Sequence, residues 1–116
     1  MSDIKIFHNP RCSKSRQTLA LLEQQGLQAD VVEYLKTPPT ADELKEILAM
    51  LAIEPRALLR KGEAIYKELG LADKSLSDEQ LVEFMCNNPK LIERPIVINN
   101  GKAKIGRPPE AVLDII

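Results

Sequence analysis

The segment HNPRCSKSR, residues 8–16, holds one of the chain's two cysteines, its only histidine and the cations Arg11, Lys14 and Arg16. A thiol among cations has the makings of a nucleophile, because positive potential favours the reactive thiolate. The pattern SKSRQTLALLEQQG that follows reads as a helix, with Leu19, Ala20 and Leu22 on its buried side and Gly26 as a left-handed stop. Cys12 therefore falls where a strand meets a helix. The unpaired N–H groups and the dipole of the helix start add to the field of the cations. The N–H groups of Ser13, Lys14 and Ser15 suit an oxyanion, and Pro10 stiffens the approach. Most free cysteines are small buried hydrophobes; polar flanks on both sides of Cys12 favour an exposed, functional thiol.

What the segment lacks is equally informative. A dithiol site has C-x-x-C spacing, whereas this chain reads Cys12-Ser13-Lys14-Ser15. An adduct on Cys12 must be resolved by an external thiol or by the distant Cys86. Cys86 lies beside Met85 in LVEFMCNNP and reads as a packing residue. His8, at the end of the first strand, reads as a group that tunes the field at the thiol when protonated. No ligand cluster accompanies it, so no metal is expected.

The elements that must position these residues follow from periodicity. DIKIFHN is a first strand and ADVVEYL a second, so the opening third is strand, helix, strand with a parallel pair. After KTPPT, Thr40 caps ADELKEILAML with Glu43 completing a capping box, and Leu44, Ile47, Leu48 and Leu51 form the apolar stripe. EPRALLRKGEAIYKELGL reads as one or two short helical pieces. LSDEQLVEFMCNNP reads as a helix capped by Ser77, with Leu81, Phe84 and Met85 inward. RPIVINNGKAKIG is a hairpin turning at Asn100-Gly101, and PPEAVLDII a final helix with proline in its first turn. The order is βαβ, an all-helical insert at about 40–92, then ββα. This is an α/β fold with a thioredoxin-like core, expected as a single domain over 1–116.

With 116 residues, 44% of them hydrophobic, the chain suits one compact core rather than disorder. That core must be aliphatic, since aromatic residues make up 3% and Trp is absent. A net charge of -1 gives no general case for nucleic acid. No apolar run reaches a membrane span, and MSDIKIFHNP lacks the pattern of a secretory leader, so a cytoplasmic protein is expected. Two cysteines are too few for a disulfide scaffold.

HNPRCSKSR, ALLRKGEAIYKELGL and ERPIVINNGKAKIGRPPEAVLDI, in that order and spacing, resemble the glutaredoxin-linked arsenate reductases nearly end to end. The resemblance implies a thioredoxin-like fold with a helical insert. It also implies reduction of arsenate to arsenite, with glutathione as co-substrate, glutaredoxin as partner and no bound cofactor. It matches Cys12 to the nucleophile and His8 to the residue that tunes it. Arg60, Arg94 and Arg107 match the arginines that bind the oxyanion, and Pro95 matches the structural cis-proline facing the cysteine. Arginine suits a tetrahedral oxyanion because its planar fork bonds two oxygens at once and stays charged. Family members often have Gly-Thr after the cysteine, where this chain has Ser13-Lys14; Gly106 stands where a cysteine or another residue often precedes the final arginine. These departures leave room for a subfamily with another substrate of glutathione-dependent thiol chemistry. A further alternative is a monothiol regulator that binds RNA polymerase, a more distantly similar group that usually carries C-x-x-C.

Overall fold

The computed structural model describes residues 4–116. Asp3, first residue of the expected opening strand, lies outside the described residues. The chain divides into two compact units, Met1–Thr37 with Arg94–Ile116, and Pro38–Glu93.

The first unit is built on a four-stranded sheet: β1 (Ile4–Phe7), β2 (Asp30–Val32), β3 (Ile96–Asn99) and β4 (Lys102–Ile105), in the spatial order β2-β1-β3-β4. β1 and β2 are parallel, joined through helix α1 (Ser13–Gln24). β3 runs antiparallel to β1 and to β4. This is the thioredoxin-like arrangement expected from the order of elements. One sheet face packs Ile4, Ile6 and Val97 with Leu22 of α1 and Val112 of the C-terminal segment, an aliphatic core. The opposite side of β1 carries Phe7, whose ring stacks on Tyr34 at 6.3 Å between centroids. Asn100 and Gly101 both have positive φ, as a two-residue hairpin turn needs.

Three local expectations are corrected. The inward face of α1 is Ser15, Thr18 and Leu22, with Ala20 exposed, because the 3.6 period centres on Thr18 rather than Leu19. β2 spans only three residues and gives way to a turn before Tyr34. The last element, Pro109–Ile115, is a 3-10 helix rather than an α-helix.

The second unit is helical: α2 (Ala41–Leu51), α3 (Pro55–Leu58), α4 (Ala64–Glu68), α5 (Asp78–Asn87) and a 3-10 turn at Pro89–Leu91. α2 and α5 pack together; Leu44, Ile47 and Leu48 are buried on α2, and Leu81, Val82 and Met85 on α5. Arg56 ties the unit's middle, donating to the Leu71 and Asp73 carbonyls at 2.8 and 2.9 Å. A short antiparallel bridge joins Leu59 to Ile92, with Arg60 N–H donating to the Leu91 carbonyl and Glu93 N–H to the Leu58 carbonyl. Among the described residues no helix is long and apolar enough to cross a membrane.

Candidate active site

The sheet register gathers the chemistry of the first unit at one edge. Phe7, the last residue of β1, pairs with Ile96, the first of β3, which pairs with Ile105, the last of β4. The loop leaving β1, the Arg94–Pro95 step entering β3 and the Gly106–Arg107 step leaving β4 therefore emerge at the same end of the sheet.

Asn9 shapes the loop that leaves β1. Its side-chain Oδ1 accepts from Arg11 N–H at 3.0 Å, its carbonyl accepts from Cys12 N–H at 3.0 Å, and its own N–H donates to Ser15 Oγ at 3.0 Å. Asparagine favours such local bonds, a signal readable from its place before Pro10. Arg16 folds back over the loop, donating through Nη1 to the Pro10 carbonyl at 3.1 Å.

Cys12 is the N-cap residue of α1, with extended backbone and no capping hydrogen bond from its side chain. The first turn of the helix carries no acidic residue, while Lys14 is exposed there. The thiol is more enclosed than its junction position suggests, with the residue 8% exposed.

His8 is buried, and its Nδ1 lies 2.7 Å from Ser15 Oγ. Desolvation by burial holds its pKa below the ordinary histidine value; Glu33 opposes that and Arg16 adds to it. The ring is thus neutral at neutral pH and acts through its bond to Ser15, which anchors the first turn of α1 to the end of β1. Ser15 is 0% exposed, and its side chain, not only the backbone N–H expected to face an oxyanion, shapes the site. A serine in a polar run gives no sign of which residue it meets.

The Arg94–Pro95 peptide bond is cis. Arg107–Pro108 is cis as well. Two hydrogen bonds tie these segments: Gly106 N–H donates to the Pro95 carbonyl at 2.9 Å, and Arg107 Nε donates to the Arg94 carbonyl at 2.9 Å. Arg94 is half-buried and Arg107 exposed. The first unit thus brings Cys12, His8, Arg94, Pro95 and Arg107 to one sheet end.

Arg60 belongs to the helical unit. There its guanidinium pairs with Glu63 at 3.2 Å and Glu93 at 3.7 Å, all three about one-quarter exposed. Cys86 lies on α5 of that unit, half-buried, and its thiol is pushed up first by burial and then by Glu43 and Glu83.

Residues 7–115 match the model of the ArsC family. The chain belongs to the ArsC family. Among its relatives is an arsenate reductase of Neisseria meningitidis (serogroup A), 50% identical over 97% of both chains. The uncharacterized protein YfgD of Escherichia coli (strain K12) is 57% identical over 97% of this chain and 96% of that protein. The structure of an arsenate reductase from Vibrio cholerae superposes with a TM-score of 0.96 at 54% identity, covering 97% of each chain. The resemblance to the arsenate reductase family read from the three motifs is borne out, as is the thioredoxin-like architecture.

Proposed function

We propose that this protein reduces arsenate to arsenite through Cys12, with glutathione as co-substrate and glutaredoxin as the final reductant. The observation that carries the reading is the sheet-end arrangement. Cys12 caps α1 without a competing acid, where β3 and β4 deliver the hydrogen-bonded Arg94 and Arg107 segments. The names of the Neisseria and Vibrio relatives support the choice of arsenate.

The reaction follows from charge. Arsenate is a tetrahedral anion, and a thiolate attacking it meets repulsion that cations and helix N–H groups offset. Arg94 and Arg107 bind the oxyanion, while His8, neutral and bonded to Ser15, holds the helix start that bears the nucleophile. The Cys12 sulfur forms a bond to arsenic(V), and one arsenate oxygen departs as water. Glutathione then bonds to the same arsenic through sulfur, releasing a second oxygen as water. A glutaredoxin thiolate attacks the glutathione sulfur, giving a glutaredoxin–glutathione disulfide. The electron pair of the broken As–S bond stays on arsenic, which becomes arsenic(III). Water then releases arsenite and returns the Cys12 thiol. Because Cys12 has no C-x-x-C partner, both electrons come from outside thiols, as a reducing cytoplasm supplies.

Arg60 enters this proposal through the family resemblance, as a third arginine for the oxyanion. Its pairing with Glu63 and Glu93 means that an anion competes with two carboxylates for that guanidinium.

The test is turnover with arsenate, glutathione and glutaredoxin, each omitted in turn. Arsenite formation that needs all three supports the proposal. Turnover unaffected by omitting glutaredoxin removes the partner, and absence of any arsenite removes the reaction.

A further inference from the structure

A hollow of about 180 Å³ opens between the loops that leave β1 and β2, with His8, Pro10 and Arg11 of the first loop and Glu33, Leu35 and Lys36 of the second in its lining. The two strands are parallel neighbours, so both loops emerge at the sheet end that carries Cys12. His8 N–H donates to the Val32 carbonyl at 2.8 Å, which ties the loops together at their roots. The Glu33 carbonyl accepts from Lys36 and Thr37 N–H at 2.9 and 3.0 Å, which turns the second loop back on itself. Cys12 follows Arg11 directly, so the Cα atoms of the two lie about 3.8 Å apart. The lining thus combines two cations, one carboxylate and two apolar side chains next to the thiol. Glu33 and Lys36 pair at 3.5 Å with side chains 44% and 78% exposed. So exposed a pair contributes little and opens readily to another ion. Pockets for drug-sized ligands start at about 300 Å³, so this hollow suits one amino-acid-sized group. The proposed reaction uses none of Glu33, Leu35 and Lys36.

We propose that this hollow is the subsite for the γ-glutamyl end of glutathione. This rests on the reading that glutathione bonds to arsenic held on Cys12. The γ linkage leaves the glutamyl α-ammonium and α-carboxylate both free, so that end alone carries both signs of charge; the glycine end carries only a carboxylate. Glu33 takes the ammonium in place of Lys36, and Arg11 and Lys36 take the carboxylate. The two glutamyl methylenes lie on Pro10 and Leu35. The glutathione cysteine is then the next residue along the peptide. A residue spans at most about 3.6 Å, so a tripeptide anchored beside Arg11 keeps its thiol within short reach of Cys12.

The experiment leaves arsenic out. The Cys12 thiolate attacks one sulfur of glutathione disulfide, the S–S bond breaks, and one glutathione leaves as the thiolate. The other stays on Cys12 as a mixed disulfide, read by mass spectrometry. The disulfides of glutathione, γ-glutamylcysteine and cysteinylglycine are compared. Each rate is divided by the rate with N-acetylcysteine as the attacking thiol, which removes the disulfide's own reactivity. In wild type the first two react alike, and each exceeds cysteinylglycine disulfide by about tenfold. Glu33→Gln cuts this preference about threefold. Glu33→Gln with Lys36→Gln, which leaves the net charge unchanged, cuts it about fivefold or more. The preference is a ratio within one protein, so changes in the reactivity of Cys12 itself cancel. Both positions are exposed, and circular dichroism verifies the fold of each variant. The proposal is overturned if cysteinylglycine disulfide reacts as well as glutathione disulfide in wild type, or if the double variant keeps the wild-type preference. Loss of preference in the double variant, with a wild type that makes no arsenite, removes the proposed reaction and leaves the subsite standing. Arsenite formation with the preference unchanged in the double variant removes the subsite and leaves the reaction.

Discussion

The three long helices, α1, α2 and α5, begin in two ways. α2 and α5 each open on a capping box, Thr40 with Glu43 and Ser77 with Gln80, and each carries two acidic residues in its first turn. α1 opens on Cys12, whose side chain makes no capping bond, and no acid follows in its first turn. The first kind satisfies its N–H donors and its dipole internally, which stabilises a helix start by about 1 kcal/mol. The second forgoes that gain and leaves donors and positive potential beside a sulfur. The cysteines divide in the same way. Cys86 sits near Glu43 and Glu83, which with burial hold it as a thiol, whereas Cys12 is flanked by Arg11, Lys14 and Arg16. At α2 and α5 the residues at the helix start serve stability; at α1 they leave donors and positive potential to the thiol, as the proposed reaction requires.

The most direct way to break this contrast is to exchange the sulfur. Cys12→Ser is expected to lower turnover by on the order of 10³-fold or more. The same change places a good N-cap residue on α1 and raises thermal stability by about 0.5–1 kcal/mol, read by denaturant unfolding. Cys86→Ser keeps most of the turnover. A Cys12→Ser protein that is both inactive and less stable goes against the idea that α1 trades capping for chemistry.

Next in size are the arginines. Arg94→Lys or Arg107→Lys keeps the charge and loses the planar fork, and kcat/KM for arsenate is expected to fall roughly tenfold to a hundredfold with the fold intact by circular dichroism. Lys74→Ala, in the helical unit, is the control and changes kcat/KM by less than about twofold.

On the other side of the contrast, Thr40→Ala or Ser77→Ala costs about 1 kcal/mol of stability. Neither changes kcat/KM for arsenate, and a matching loss of activity contradicts the division. The smallest effect belongs to His8. Its pKa is lower in the folded chain than in the unfolded one, so the unfolded chain binds the proton more readily. The stability linked to His8 is fully present above about pH 6.5 and is lost as pH falls through the lowered folded value. Unfolding midpoints measured from pH 8 to pH 5 show this slope, and His8→Gln flattens it.

Much of the frame is legible in the chain because its signals are local. Thr40 with Glu43, Ser77 with its helix and Asn100-Gly101 each act over a few residues, and each appears where the pattern puts it. Periodicity was less decisive where polar residues face inward. Ser15 and Thr18 are fully buried on α1, and a hydrophobicity pattern passes over both. The C-terminal segment was legible as helical, but its 3-10 form was not, since over seven residues a period of 3.0 is hard to tell from one of 3.6.

By itself, the sequence determined that a thiol stands among cations at a strand–helix junction, in a βαβ, helical, ββ order, with no second thiol nearby. These are matters of neighbouring residues and period. Only the tertiary structure decided that His8 is buried against Ser15, that Arg60 is held by Glu63 and Glu93, and that Gly106 N–H reaches the Pro95 carbonyl. It also decided that the Arg107–Pro108 bond is cis, which no local pattern announces. A Cβ placed at Gly106 would stand 2.5 Å from Thr18 Oγ1, though the two residues are far apart in the chain. No spacing rule connects them; the sheet register brings the ends of β3 and β4 to the start of α1, and packing there leaves no room for a methyl group.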